Sequence, residues 1–416
     1  MLSTKENFYI NKEEKFCSNT YHPLPVVLSR GKGVYVWDVH GKKYFDFLSS
    51  YSAVNQGHCN RKILNAFLKQ SKKLTLTSRA FYNNELGSSL QYITSIFGYD
   101  KMLPMNSGAE AVEAALKICR KWGYEIKKVK KNKAKIIVCD GNFHGRTTTV
   151  ISFSSCNESK KNFGPLTLGF KIIDYNNVNK LEEALKKDKN IVGFLVEPIQ
   201  GEGGVVVPDD GYLKNSKKLC EKYNVLFIAD EIQTGICRTG KMLACDHEEI
   251  KPDIVILGKA LSGGFYPVSG VLANSDIMGV LKVGQHGSTF GGNPLGSVVA
   301  KESIKFAVDK DLSKNARIMG DLFRHNLEKL KDKHKLIKKV RGKGLLNAIV
   351  LDCEESSKIP WQLSIQMRNN GVLAKPTQGN KIRFAPPLII TKKQILKAVQ
   401  LIDTSFSELK HGYSSK

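Results

Sequence analysis

The sequence lacks any run of about 18 apolar residues, the length that a membrane-spanning helix requires. It also lacks a Cys-x-x-Cys pair, zinc-finger spacing, and the strand or helix-turn-helix patterns that bind nucleic acid. Before Arg30 there is no arginine and no apolar core, but Glu6, Glu13 and Glu14 are present. We therefore expect no membrane span and no secretory or transit peptide, and we expect a cytoplasmic location.

Acidic residues are in deficit: 39 Asp and Glu stand against 64 Lys and Arg, so the net charge is +25. The lysines are scattered along the chain, apart from a run at residues 127–135 that predicts a solvated loop. We therefore expect neither a nucleic-acid partner nor a membrane partner. The rival interpretation, a basic binding protein, lacks a recognisable module. The positive charge would instead draw anionic substrates toward the protein.

The nine cysteines are an odd number and show no disulfide spacing. Cys119, Cys139 and Cys220 lie inside apolar periodic segments, where cysteine behaves as a small buried hydrophobic residue. We expect free thiols and a reducing compartment.

Short β-rich runs alternate with amphipathic segments, which predicts an α/β fold with a mainly parallel sheet. Runs such as Val225–Asp230 and Ile254–Gly258 are apolar on both faces, as buried parallel strands are. The β-rich runs lie at Lys135–Cys139, Ile191–Glu197, Val225–Asp230, Ile254–Gly258 and Val268–Ala273.

The pattern changes at both ends of the chain. Residues 1–30 are polar and predict an irregular arm, and Val34–Asp38 and Tyr44–Phe47 predict a hairpin. Beyond residue 293, long charged helices and a few strands predict a smaller α+β domain. We expect an arm and hairpin at residues 1–50, a large domain at 51–293 and a small C-terminal domain at 294–416.

Two charged residues follow predicted strands, Asp230 after one and Lys259 after the next. In open parallel sheets ligands bind outside the carboxyl ends of strands, so both side chains can face one crevice. A desolvated lysine is a nucleophile toward aldehydes, and a carboxylate can keep a pyridine nitrogen protonated. The spacing alone favours a simpler interpretation, a structural ion pair.

Small residues open the helix that follows a predicted strand at 102–105. Ser107, Gly108 and Ala109 allow backbone N–H groups to approach a phosphate at the helix N-terminus. An ordinary N-cap by Ser107 explains the same pattern. The glycine-rich segment around Ser288 and Thr289 is either a second phosphate-binding turn or a hinge.

A third segment, at 141–147, contains an aromatic residue and an arginine. Phe143 can stack on a flat ring, and Arg146 can bind a carboxylate with two parallel hydrogen bonds. Taken alone, the two residues are better explained as a core aromatic and a surface arginine.

Together, these segments resemble the class III aminotransferases of the fold type I pyridoxal-phosphate enzymes. The resemblance extends over residues 16–406. Its motifs, in chain order, are Asn106–Glu110, Phe143–Arg146, Asp230–Gln233, Gly258-Lys259 and Ser288–Pro294.

The resemblance implies a large domain with a seven-stranded sheet and a site for pyridoxal 5'-phosphate. Lys259 would bind the cofactor's aldehyde and shuttle a proton, and Asp230 would pair with its ring nitrogen. Thr289 would reach the phosphate of the neighbouring subunit, which implies a homodimer with shared active sites. The implied cofactor-binding residues are Ser107, Gly108, Ala109, Phe143, His144, Asp230, Gln233, Lys259, Ser288 and Thr289.

The implied contacts to the cofactor differ in kind. Phe143 would stack on the ring, with His144 as a positioning residue beside it. Gln233 would bond the phenolic oxygen. Gly108 and Ala109 would hold the phosphate through their N–H groups.

Within the class, the chain is most similar to members that transfer the δ-amino group of ornithine to 2-oxoglutarate. The stretches that carry this similarity are Tyr21–Gly33, Phe45–His58, Leu74–Asn84, Glu197–Glu202 and Ile382–Pro387. The products would be glutamate and glutamate 5-semialdehyde, which cyclises to pyrroline-5-carboxylate. A related member acting on N-acetylornithine or 4-aminobutyrate is the alternative.

The resemblance also assigns the substrate-binding residues. Tyr21, Tyr51 and Arg146 would bind the α-amino acid end of ornithine. Glu202 would pair with Arg383 and then swing aside when 2-oxoglutarate arrives, which lets one pocket accept two substrates of different charge. Without the resemblance, Glu202 is better explained as a solvated loop acid and Arg383 as a surface charge.

Overall fold

The chain alternates strands and helices over most of its length. The computed structural model describes residues 3–413, with side chains described for residues 3–409. The strands are β1 (Leu28–Lys32), β2 (Tyr35–Asp38), β3 (Lys43–Asp46), β4 (Lys101–Met105), β5 (Lys135–Cys139), β6 (Phe170–Ile173), β7 (Ile191–Val196), β8 (Leu226–Asp230), β9 (Ile254–Leu257), β10 (Ser269–Ala273), β11 (Ile337–Lys343), β12 (Leu346–Leu351), β13 (Val372–Leu373), β14 (Lys375–Thr377) and β15 (Lys381–Phe384).

The helices differ widely in length, and three further short segments are 3-10 turns, at Asn157–Ser159, Ala244–Glu248 and Lys259–Ser262. The helices are α1 (Thr4–Phe16), α2 (Ser49–Ser52, a left-handed turn), α3 (Arg61–Ser71), α4 (Leu86–Phe97), α5 (Gly108–Glu125), α6 (Thr148–Ser152), α7 (Val178–Lys187), α8 (Tyr212–Lys222), α9 (Ser275–Met278), α10 (Pro294–Asp309), α11 (Leu312–Lys333), α12 (Ile359–Asn369) and α13 (Lys392–Tyr413).

A seven-stranded sheet forms the central layer, with the strand order β4-β10-β9-β8-β7-β5-β6. β10 runs antiparallel to β4 and β9, and the remaining neighbours pair in parallel. β7, β8 and β9 are buried at every position, which explains why their sequences are apolar on both faces. The predicted α/β fold with a large, mainly parallel sheet is confirmed.

Helices cover both faces of this sheet. On one face α5 packs through Ala115 and Cys119 into a core that includes Ile228 of β8. On the other face α7 and α8 contribute Leu185 and Cys220 to a second core. All nine cysteines are free thiols. Cys119 and Cys220, which the sequence predicts to be buried, lie in the cores on opposite faces of the sheet.

The C-terminal part of the chain forms a second sheet, β11-β12-β15-β14, in which all neighbours are antiparallel. A third sheet, β1-β2-β3-β13, joins the predicted hairpin to this part through the parallel pairing of β3 with β13. One hydrophobic core extends from Val34 through Phe323 to Phe406. The division into domains at 1–50, 51–293 and 294–416 stays a prediction.

The N-terminal arm is not irregular throughout, and that part of the prediction for residues 1–30 is wrong. Helix α1 begins after Ser3, whose hydroxyl accepts a hydrogen bond from the N–H of Glu6. The Glu6 carboxylate accepts the Ser3 N–H in return. This capping box satisfies donors that a helix start leaves free. Apolar periodicity missed α1 because the helix buries no side chain.

The basic run at residues 127–135 is largely a loop between α5 and β5, as predicted. Lys130, Lys131 and Lys133 are exposed, whereas Lys127 donates to the carbonyls of Ile191 and Tyr223. Across residues 3–413, none of the helices combines the length and the apolar composition that crossing a bilayer demands.

A close approach between α11 and the turn that joins β11 to β12 depends on glycine at two positions. A Cβ atom at Gly320 of α11 would lie 1.8 Å from the carbonyl oxygen of Gly344. Gly344 itself has a φ of +57°, a conformation that favours glycine. The helix therefore packs against this turn backbone to backbone.

We predict that Gly320→Ala lowers the unfolding temperature, with a loss of about 1–3 kcal/mol from overpacking. Lys329→Ala, on an exposed turn of the same helix, is the matched control and is expected to change stability little. Differential scanning calorimetry of both variants checks this. An unchanged unfolding temperature for Gly320→Ala would contradict the close packing.

Candidate active site

The carboxyl edge of the seven-stranded sheet carries Asp230 and Lys259. Asp230 is the last residue of β8, and Lys259 follows β9 by two positions. Asp230 pairs with Ile256 across the two parallel strands, so both side chains reach the same edge. A cavity of about 210 Å³, the inner cavity, opens there and is lined by both. Asp230 and Lys259 therefore face one site. Asp230 forms an ion pair with His144 and not with Lys259.

Lys259 presents an amine without a hydrogen-bond or ion-pair partner among the described residues. Its backbone has a φ of 43°, which costs a non-glycine residue about 1–2 kcal/mol. Strain of this kind clusters at functional sites. Desolvation lowers the pKa of Lys259 to about 8, although the negative charge of Glu202 opposes the shift. Near neutral pH a useful fraction of the amine is therefore neutral and nucleophilic.

Asp230 is held by a buried histidine. His144 Nδ1 lies 2.6 Å from Asp230 Oδ2, and the N–H of Ile232 donates to Asp230 Oδ1 at 3.1 Å. Burial opposes the charged form of His144, but the hydrogen bond and charge of Asp230 outweigh it, so the pKa of His144 is raised. These two hydrogen bonds hold the Asp230 carboxylate in a fixed orientation at the cavity wall.

Glu197 fixes the loop that carries Phe143. It follows β7, and its Oε1 accepts the Phe143 N–H at 2.8 Å while its Oε2 accepts the Gly201 N–H at 3.3 Å. Burial raises the pKa of Glu197 to about 7. No role for Glu197 follows from the sequence motifs. The signal that could have indicated one is its position directly after β7, the strand that neighbours β8.

The N-terminus of α5 opens into the same cavity. Ser107 caps the helix by accepting the N–H of Glu110, as the simpler interpretation predicts. Gly108 and Ala109 line the inner cavity. Because they lie in the first turn, their N–H groups have no partner within the helix and remain available to an anion.

A second cavity of about 290 Å³, the outer cavity, adjoins the first and shares Phe143, His144 and Gly145 with it. Tyr51, Arg146, Glu202 and Arg383 line it. Most of the predicted substrate-binding residues therefore meet in one place. They come from segments separated by up to about 330 positions in the sequence, which only the fold brings together.

Glu202 and Arg383 form an ion pair across the outer cavity. Arg383 Nη1 donates to Glu202 Oε1 at 2.7 Å and to Gln233 Oε1 at 3.0 Å. The Nε of Arg383 is buried and has no partner among the described residues. Burial raises the pKa of Glu202, but the charges of Arg383 and Lys259 more than offset this, so its pKa is lowered and it stays ionised.

The loop that carries Glu202 approaches Gln233 so closely that glycine is required. A Cβ atom at Gly201 would lie 1.9 Å from Gln233 Oε1. The Gln233 Nε2 in turn donates to Glu202 Oε1 at 3.2 Å. Gln233 therefore lines the inner cavity while its amide is bonded to the ion pair.

Tyr51 reaches the outer cavity from α2, where Ser49 to Ser52 all have positive φ, between 47° and 76°. Asp46 Oδ1 accepts the N–H groups of Leu48 and Ser49, which stabilises the turn. The guanidinium of Arg383 lies 5.0 Å from the centre of the Tyr51 ring. This strained turn thus places an aromatic ring against the buried cation.

Four predicted residues lie outside both cavities of their own chain. Tyr21 is 75% exposed, and Thr289 is also exposed. Ser107 caps α5, and Ser288 accepts a hydrogen bond from the side chain of Asn106. Their assigned contacts to substrate or cofactor stay predictions.

The model of the aminotransferase class-III family matches residues 16–406. The chain belongs to this family. The resemblance carried by its motifs is confirmed, and with it the dependence on pyridoxal phosphate that class III aminotransferases share.

Individual relatives cover nearly the whole of this class III aminotransferase. A mitochondrial ornithine aminotransferase from Drosophila melanogaster is 55% identical over 392 residues, 94% of this chain and 89% of the relative. The crystal structure of the ornithine aminotransferase from Toxoplasma gondii ME49 has a TM-score of 0.95 at 47% sequence identity. The match covers 99% of this chain and 97% of that one. The crystal structure of an acetylornithine aminotransferase from Elizabethkingia anophelis has a TM-score of 0.90 at 56% sequence identity. The match covers 97% of this chain and 99% of that one.

The inner cavity has the chemical groups that pyridoxal phosphate requires. Lys259 offers an amine to an aldehyde, Asp230 offers a carboxylate to a pyridine nitrogen, and the start of α5 offers N–H groups to a phosphate. Phe143 lies on the wall between the two cavities. The residues therefore fit the cofactor of the family.

We predict that Lys259 of the cofactor-free protein reacts with acetic anhydride with a midpoint near pH 8, because only the neutral amine is a nucleophile. Lys222 serves as the control and should react only at higher pH, because its hydrogen bond to Glu182 raises its pKa. Competitive labelling followed by peptide mass spectrometry gives both curves. Coincident curves would contradict the desolvated environment of Lys259.

Proposed function

We propose that the chain transfers the δ-amino group of L-ornithine to 2-oxoglutarate. The products are glutamate and glutamate 5-semialdehyde, and the latter cyclises to pyrroline-5-carboxylate. The observation that carries the proposal is the Glu202–Arg383 ion pair in a cavity that also holds Arg146, which has no acidic partner among the described residues. The names of the Drosophila and Toxoplasma relatives agree with it.

Pyridoxal phosphate supplies an aldehyde that accepts amines and a ring that withdraws electrons. Lys259 would bind that aldehyde and, once released, carry protons at the reacting carbon. Asp230, oriented by His144, would keep a proton on the ring nitrogen. Phe143 would stack on the ring, Gln233 would bond its phenolic oxygen, and Gly108 and Ala109 would bind the phosphate.

Ornithine would bind with its α-carboxylate on Arg146 and its α-amino acid end near Tyr51 and Tyr21. The Tyr51 hydroxyl makes no hydrogen bond within residues 3–409, so it is available to the substrate. The δ-amine then points toward the inner cavity. Glu202 keeps Arg383 neutralised during this half-reaction, so no carboxylate is drawn to the wrong end.

2-Oxoglutarate carries two carboxylates and no amine. Glu202 would swing aside, freeing Arg383 for the α-carboxylate, while Arg146 takes the distal one. Gly201, Gly203 and Gly204 flank Glu202 and give the loop backbone freedom. The two substrates thus use one pocket in turn, and ping-pong kinetics follow.

We also propose a homodimer with shared sites, in which Thr289 and Ser288 face the cofactor of the neighbouring subunit. The exposed position of Thr289 supports this. So do the exposed hydrophobic side chains of Leu74, Leu76, Phe81 and Phe290. A monomeric mass in light scattering of the purified protein would contradict it.

The proposed location is the cytoplasm. The nine free thiols fit a reducing compartment, but the Drosophila relative is named mitochondrial, so the matrix is the competing location. Fractionation of cells that express the chain with a C-terminal tag distinguishes the two. Recovery with mitochondria would contradict the proposal.

A panel of amino donors tests the function directly. The Elizabethkingia relative is named for acetylornithine, so N-acetylornithine is the second candidate donor. With 2-oxoglutarate as acceptor, we predict that ornithine has the highest kcat/KM, at least about tenfold above N-acetylornithine and 4-aminobutyrate. Spectra before and after each donor, together with glutamate release, measure this. A higher value for N-acetylornithine would overturn the proposed donor.

We predict that Glu202→Ala lowers kcat/KM for ornithine about tenfold or more, because Arg383 is left without its anion. Glutamate, which uses Arg383 itself, should be affected by less than about twofold. Glu355→Ala is the control, since Glu355 is an exposed acid paired with Lys381. An equal loss with both donors would contradict the alternating use of the pair.

A further inference from the structure

The outer cavity contains more positive charge than the assigned residues account for. Of its described lining residues, Arg146, Lys375 and Arg383 are cationic and Glu202 is the one acid, while His144 is bonded to Asp230. Glu202 is bonded to Arg383, so Arg146 and Lys375 keep unbalanced charges.

Lys375 lies beside Arg383 on the C-terminal sheet. The two residues pair directly across β14 and β15, so their side chains lie on the same face of the sheet. Like charges that are directly opposite each other destabilise a sheet. Lys375 is half-buried and has no hydrogen bond or ion pair among the described residues. Partial desolvation lowers the pKa of Lys375, as expected for a half-buried ammonium group that has no anionic partner.

A neighbouring lysine on the same strand pair shows the contrast. Lys381 of β15 pairs with Thr377 of β14, is similarly buried, and forms an ion pair with Glu355 at 2.6 Å. The fold thus supplies an anion to the lysine outside the cavity and leaves the lysine inside it without one.

We propose that Lys375 is a further substrate-binding residue, which contacts a carboxylate of the amino acceptor and makes the site favour dicarboxylates over monocarboxylates. The inference rests on the proposed function for the identity of the acceptor. Thr377, two residues further on, donates to the backbone carbonyl of Glu202 at 2.9 Å. β14 therefore contacts the loop that carries Glu202, whose movement would free Arg383. Lys375 lines the same cavity, where its positive charge can attract the incoming dicarboxylate.

Titration of ligands that do not react tests this in the cofactor-loaded enzyme. Glutarate and pentanoate have the same chain length and differ by one carboxylate. We expect Lys375→Met to weaken glutarate binding about tenfold, as loss of one charge-assisted contact does, and to change pentanoate binding by less than about twofold. Lys375→Arg should retain glutarate binding, and Lys381→Met is the matched control. Ionic strength is kept constant, and circular dichroism verifies folding.

Steady-state kinetics supply the second readout. Lys375→Met should raise KM for 2-oxoglutarate about tenfold and leave kcat/KM for ornithine nearly unchanged. Equal losses for glutarate and pentanoate, unchanged glutarate binding, or the same loss in Lys381→Met would overturn the role of Lys375. If the wild-type enzyme fails to use ornithine, the proposed function falls, whereas the glutarate titration still decides the role of Lys375.

Discussion

The ion pair between the buried guanidinium of Arg383 and the carboxylate of Glu202 organises the substrate site. The side chain of Arg383 is 2% exposed, and loss of its partner would cost about 3–5 kcal/mol. Glu202 supplies the anion from a loop that Glu197, Gln233 and Thr377 hold on different sides. A substrate carboxylate can replace Glu202 because it provides the same compensation. One fixed cation can therefore serve two half-reactions.

The chemistry of the inner cavity was largely predictable from the sequence. Asp230 and Lys259 each follow an apolar run, and runs that are apolar on both faces predict neighbouring parallel strands whose carboxyl ends share an edge. The order of the strands was not predictable in this way, since β10 runs antiparallel and inserts between β4 and β9. The roles of these residues required the family resemblance, because spacing alone favoured an ion pair that the structure lacks.

The outer cavity depends on contacts that no local pattern encodes. Glu202 and Arg383 are 181 positions apart and meet because β12 of the C-terminal sheet packs against the loop that follows β7. Tyr51 is placed by a left-handed turn of serines, which Asp46 stabilises against its own strain. The proposed role of Lys375 depends on its pairing with Arg383 across β14 and β15. Helix α1 was missed for the opposite reason, because its signal is a local capping box rather than a buried face.

The exchange of anions at Arg383 is the central claim, and crystal structures of the cofactor-loaded enzyme test it most directly. The distance from Glu202 Oε1 to Arg383 Nη1 is 2.7 Å in the protein as described. With an unreactive ornithine analogue bound, this contact should persist. With glutarate bound, Glu202 should have moved away and a ligand carboxylate should occupy its place on Arg383. An intact Glu202–Arg383 contact in the glutarate complex would contradict the account.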